Sequence, residues 1–132
     1  MPGSKRPHKQ LLWFWVNNLF NLSKDYSTGL DVACGNMGKK DLFQTNEYVG
    51  IDLDRERIQY GLNKYPEVKG YVKSIEDMND SDSGDFVVCL QTIGINNHFN
   101  TDNTLLCVQN LVRATKKGGM LLFNVGPSSK RY

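Results

Sequence analysis

GLDVACGNMGKK, residues 29–40, is the stretch on which the reading of this chain turns. An apolar climb from Gly29 to Cys34 is interrupted by one acid, Asp31, and then breaks into Gly35, Asn36, Met37 and Gly38 before two lysines. A short continuous apolar run suits a strand buried on both faces. Small residues directly after it suit a turn in which backbone N–H groups approach a ligand with no Cβ in the way. The same turn also suits an ordinary strand-to-helix connection. It is a poor phosphate cradle, because Met37 stands where a dinucleotide loop would have a further glycine.

Working outward, apolar runs and helical patterns alternate. GKKDLFQT reads as a short helix of about two turns. YVGIDL, residues 48–53, reads as a second strand, and DRERIQYGLNKYP as a helix capped by Asp54 and ended by Pro66. VKGYVKS holds a shorter third strand at about 70–73, NDSDSGD is an acidic loop, and DFVVCLQT is a fourth strand. After GINNHFN comes a helix over about 102–115, then KKGG as a tight turn and MLLFNV as a fifth strand. Upstream, Leu11, Leu12, Phe14, Trp15, Leu19 and Phe20 recur at helical spacing over about 8–22. That N-terminal helix is expected to pack on the body of the domain, with lidding of a cleft as the alternative. Strands alternating with helices predict an α/β fold, a doubly wound and mainly parallel sheet of about five strands.

At 132 residues the chain, 1–132, reads as one domain, with 1–9 as a flexible tail. A net charge of +2 argues against nucleic acid as a partner. The basic cluster SKRPHK reads as a solvated tail, with a phosphate- or nucleic-acid-binding arm as the alternative. Cys34, Cys89 and Cys107 lack metal-ligand spacing and sit in apolar settings, so they read as reduced thiols and no metal site is expected. LLWFWVNNLF is too short to span a bilayer, and no secretory leader pattern is present, so a cytoplasmic protein without a membrane role is expected.

In open α/β sheets, ligands bind beyond the carboxyl ends of the strands. The residues there form a set: Ala33, Cys34, Gly35, Asn36 and Gly38 after the first strand, and Asp52 at the end of the second. Asp52 stands 17 positions beyond Gly35, near the spacing at which an acid accepts hydrogen bonds from ribose hydroxyls. Its other role, capping the next helix, falls more naturally to Asp54.

Taken in order, LDVACGNMG, YVGIDLD, YVKSIEDM, GDFVVCLQTIG and LVRATKKGGMLLFNV resemble the class I S-adenosylmethionine-dependent methyltransferases, over about 29–125. The resemblance implies a Rossmann-like core with strand order 3-2-1-4-5 and S-adenosyl-L-methionine as cofactor. By that resemblance Asp31 corresponds to the acid that reaches the methionine amino group, and Ala33, Cys34 and Gly35 pass their backbone along the cofactor. Asp52 corresponds to the acid on the ribose hydroxyls and Leu53 to the apolar neighbour of the adenine. Ser74 and Ile75 fall where the adenine edge is read, and Leu90 and Gln91 flank the methionine portion and the sulfonium.

There are departures. Ser74 replaces an acid often found at the adenine position, and the helix after the first loop is short. A histidine is common soon after strand four in this family; here TIGINNHF offers only His98, a candidate general base or a polar loop residue. The family core continues past strand five into two more strands, whereas this chain ends at GPSSKRY. Strand five is therefore expected to be an apolar edge, covered by another copy or a partner, or else the sequence is a truncated form. The leading function is methyl transfer to a small-molecule acceptor, chemistry in which positioning does most of the work. The alternative is a non-catalytic methyltransferase-like binding module acting in assembly or regulation. An NAD-dependent oxidoreductase is disfavoured by the loop. Nucleic-acid methylation lacks both a strong basic face and an Asn-Pro-Pro-aromatic tetrapeptide after strand four.

Overall fold

Alternation along the strands sets the layers. The computed structural model describes residues 7–93 and 101–125. Its strands are β1 (Thr28–Val32), β2 (Glu47–Asp52), β3 (Lys69–Val72), β4 (Gly84–Ile93) and β5 (Thr115–Val125); its helices are α1 (Pro7–Asn21), α2 (Arg55–Lys64) and α3 (Thr101–Ala114). The strands form one sheet in the order β3-β2-β1-β4-β5, with every neighbouring pair parallel. This is the Rossmann-like arrangement that the sequence implies.

Leu30 and Val32 of β1, with Val87 and Cys89 of β4, point to one face, where Cys107, Leu111 and Ala114 of α3 cover them. Phe86, Val88 and Leu90 point to the other face, against Val16 and Phe20 of α1 and Ile58 of α2. Burial on both faces is why these strands read as continuous apolar runs rather than alternating ones. Phe20, Phe43 and Phe86 meet edge-to-face, with ring centroids 5.0–5.8 Å apart, in the second of these cores. Cys34, Cys89 and Cys107 are all free and buried.

Local chemistry fixes the ends of the elements. Asp54 caps α2, its carboxylate accepting from the N–H groups of Glu56 at 2.9 Å and Arg57 at 3.3 Å. Asp85, at the start of β4, accepts from the N–H groups of Ser27 and Thr28 at 2.8 and 2.7 Å, tying β4 to the entry of β1. Desolvation pushes the Asp85 carboxyl up, but these N–H bonds, with Lys116 nearby, outweigh it and hold it below the ordinary value.

Two sequence expectations need correction. No α-helix follows β1: the chain makes turns through 33–39 and a single 3₁₀ turn, Lys40–Leu42. Two glycines and Asn36 deprive that segment of helix propensity, and the side chains of Met37 and Phe43 fill the sheet face that a helix would cover. Residues 116–119, read as a tight turn before the fifth strand, lie within β5 but drop out of register. The pairing jumps from Gly84 with Thr115 to Phe86 with Met120. Gly118 takes φ +83° there, and a Cβ on Gly119 would fall 2.6 Å from the Asp85 carbonyl oxygen.

Candidate cofactor-binding site

The strand order reverses between β1 and β4, and a cleft of about 700 Å³ opens at the carboxyl ends of the strands there. That volume suits a small organic ligand. One wall is the turn after β1, formed by Ala33, Cys34, Gly35, Asn36 and Gly38. Ala33, Gly35 and Met37 all take left-handed φ, at 61°, 57° and 65°. The first and third are not glycine, so the turn carries strain that surrounding contacts must hold. Cys34 is one anchor, with its N–H donating to the Ile51 carbonyl at 2.9 Å. Burial pushes its thiol up to about 12, so it stays protonated and unreactive.

Met37 is the other anchor. Its side chain is fully buried and does not enter the cleft. It fills a slot between three glycines. A Cβ on Gly50 of β2 would lie 2.9 Å from its Cε, one on Gly61 of α2 2.5 Å from its Sδ, and one on Gly70 of β3 3.0 Å from its Cε. The residue that spoils the loop as a phosphate cradle thus serves to lock the loop onto the sheet.

Asp52, at the end of β2, accepts from the Gly35 N–H at 2.8 Å through Oδ2 and from the Asp54 N–H at 2.9 Å through Oδ1. One carboxylate therefore pins the first turn to the second. A carboxylate offers about four lone-pair sites, which leaves capacity for two further donors. Leu53 beside it is 71% exposed and lines the cleft, offering an apolar surface there.

The opposite wall is a 3₁₀ turn, Ile75–Asp77, capped by Ser74, whose Oγ accepts from the Glu76 N–H at 3.2 Å. Ser74, Ile75 and Glu76 all line the cleft. Buried Asn110 of α3 holds this turn, donating to the carbonyls of Ile75 at 2.8 Å and Glu76 at 3.2 Å. Asn110→Ala leaves those acceptors without their donor, so urea unfolding should show a loss of about 1–3 kcal/mol.

Asp31 lies beneath the cleft, not on its wall. It is wholly buried; Oδ2 accepts from the Tyr48 hydroxyl at 2.6 Å, and Oδ1 has no hydrogen-bond partner among the described residues. Burial pushes its carboxyl from 3.8 to about 6, against the opposing pull of Lys39 and the Tyr48 hydrogen bond. Tyr48 is itself shifted upward by burial and by the neighbouring acid, so its hydroxyl remains a donor.

Of the sequence candidates, Ala33, Cys34, Gly35, Asp52, Leu53, Ser74, Ile75 and Leu90 come together around this one cleft. Gln91 falls at the end of β4, with its side chain outside the described residues, and His98 lies outside them altogether. Three cations were missed. Lys39, Arg57 and Lys73 also line the cleft. Lys39 is half-buried on the cleft wall, while Lys40 pairs with Glu67 at 3.5 Å and lies 5.2 Å from the Tyr65 ring centroid. Arg57 was legible in principle, since it sits one turn into the helix that Asp54 caps. Among the described residues no cluster of three histidines, cysteines or acids is placed to hold a metal ion.

Solved structures share this architecture. A Clostridium acetobutylicum S-adenosylmethionine-dependent methyltransferase superposes with TM-score 0.72 at 17% identity, over 92% of this chain and 51% of its own. A protein of Pyrococcus horikoshii OT3 gives 0.70 at 20%, over 91% and 59%. A sugar N-methyltransferase of Streptoalloteichus gives 0.70 at 21%, over 88% and 48%. At these identities the likeness is one of fold, and the chain spans about half to three-fifths of their lengths. No curated protein matches it by sequence. The family model described as "Methyltransferase domain" matches residues 30–123, most of the chain, and the protein therefore belongs to that methyltransferase family.

Proposed function

We propose that the cleft binds S-adenosyl-L-methionine and that the protein directs its methyl group to a small-molecule acceptor. The carrying observation is the Asp52 carboxylate, pinned by the Gly35 and Asp54 N–H groups at the mouth of a cleft of about 700 Å³. The residues present fit this cofactor. Asp52 retains acceptor capacity for two ribose hydroxyls, Leu53 offers an exposed apolar face for the adenine, and the Ser74–Glu76 turn supplies backbone at its edge. Asp31 Oδ1, which has no hydrogen-bond partner among the described residues, supplies negative charge beneath the amino-acid end. A sulfonium cation calls for carboxylates and carbonyl dipoles more than a phosphate nest, and this loop has Met37 where a nest would have glycine.

When bound, the cofactor supplies a methyl group on a positively charged sulfur that departs as a neutral thioether. The protein's contribution is to hold the cofactor by Asp52 and the turn after β1, and to orient it along the strand ends. Positioning of this kind is sufficient for an in-line displacement. The net charge of +2 gives no large overall basic excess to favour a nucleic-acid acceptor. Asp52→Ala removes charge-assisted acceptors, each of which contributes about 1.5–3 kcal/mol. Calorimetry should show S-adenosylhomocysteine affinity falling at least about tenfold; unchanged affinity would remove Asp52 from the site.

A second reading, a methyltransferase-like module working with a partner, is favoured by the position of β5. It is the outermost strand beside β4 in the described sheet, and Met120–Phe123 are only half-buried.

A further inference from the structure

Three cations line the cleft, and two of them already have acids beside them. Lys73 Nζ pairs with Asp80 at 2.9 Å, and Arg57 Nε lies 3.8 Å from Asp54. The side chain of Lys39 makes no ion pair or hydrogen bond among the described residues. It is nevertheless half-buried on the cleft wall, where an ammonium group loses hydration without recovering it from a protein partner.

Its charge is felt where β1 and β4 lie side by side. Asp31 stands in register with Val88 there. Burial pushes the Asp31 carboxyl up, and the Lys39 charge is the strongest pull against that push. Burial likewise raises the thiol of Cys89, next to Val88, and Lys39 again opposes it. An acid and a base thus occupy the same end of the cleft, yet they form no ion pair with each other. Asp31 is wholly buried, and its Oδ1 has no hydrogen-bond partner among the described residues. Both charges bear a desolvation cost that a closed pair would offset in part. Held apart, they match a group that carries both opposite charges on one carbon, with an α-ammonium for Asp31 and an α-carboxylate for Lys39. A simple amine would satisfy only the acid, and a lone carboxylate or phosphate only the base.

We propose that Lys39 binds the α-carboxylate of the cofactor, forming with Asp31 a zwitterion clamp that admits adenosyl ligands with an intact α-amino acid and disfavours their decarboxylated forms. This rests on the reading of the cleft as an S-adenosylmethionine site and adds the residue that selects the amino-acid end. The test is calorimetry of the full chain with S-adenosylhomocysteine and with S-adenosyl-3-thiopropylamine, the same molecule without its carboxylate. The wild type should bind S-adenosylhomocysteine at least about tenfold more tightly than the amine. Lys39→Met keeps the stem and removes the charge, so it should weaken S-adenosylhomocysteine alone and erase the preference; Lys39→Arg should keep most of it. Unaltered binding of the amine by Lys39→Met would show that the variant folds. A preference that survives in Lys39→Met, equal weakening of both ligands, or no preference in the wild type would overturn the clamp and leave the cofactor reading in place. Binding of neither ligand to the wild type would overturn that reading, and the clamp with it.

Discussion

Asp31→Asn is expected to stabilise the ligand-free protein by about 3 kcal/mol at neutral pH and to change it little at about pH 4. The native carboxyl is raised from 3.8 to about 6, chiefly by burial, with one oxygen unpartnered among the described residues. The folded state therefore binds the proton more tightly than the unfolded state. The stabilisation that the proton brings is fully present below about pH 4 and is lost as pH rises through about 6. A gap of about two units at 1.36 kcal/mol each gives the stated size. Asparagine is neutral throughout, so the difference between variant and wild type should open between those two pH values in urea titrations. If Asp31 holds the cofactor's ammonium group, the same change should weaken S-adenosylhomocysteine binding by roughly ten- to a hundredfold. A more stable variant that binds worse would mark Asp31 as a group kept for its ligand. Equal stability at both pH values would contradict the buried-charge account.

Met37→Ala is expected to cost about 2–5 kcal/mol, the range for emptying a fully buried site of this size. The more informative experiment pairs it with Gly61→Ala. Glycine within a helix costs about 1 kcal/mol relative to alanine, so Gly61 is poorly chosen for α2 on propensity alone. Its place is explained by Met37 Sδ, 2.5 Å from where a Cβ would stand. Gly61→Ala alone should therefore destabilise the protein, whereas in the Met37→Ala background it should restore part of the loss. Denaturant unfolding of the four species closes the cycle, and additivity would show that the two residues do not share the slot.

That slot also marks where sequence reading stopped. The strands, their parallel pairing and the Asp54 cap were legible from continuous apolar runs alternating with helices and from an N-cap acid before an amphipathic helix, whereas the strand order 3-2-1-4-5 was implied by the family resemblance. The segment after β1 was misread because its structure depends on distant partners. Nothing within GKKDLFQT reveals that Gly50, Gly61 and Gly70 leave room for Met37, or that Asp52 reaches back to the Gly35 N–H. The cleft shows the same division. Asp52, Leu53 and Ser74 stand at strand ends, where topology predicts ligand contacts. Lys39, Arg57 and Lys73 come to the cleft from three separate segments of the chain, which no local sequence pattern brings together. Asp31 was legible as an acid in an apolar strand, but its depth beneath the cleft and its bond to Tyr48 depend on the register that sets it against β2.

The central claim is that this cleft takes an adenosyl sulfonium ligand, and it is tested most directly by calorimetric titration of the wild-type chain with S-adenosylmethionine, S-adenosylhomocysteine and NAD. The account predicts one-site binding of both sulfur compounds in the micromolar range, about −8 kcal/mol, and none of NAD. Binding of NAD, or of neither sulfur compound, would contradict it.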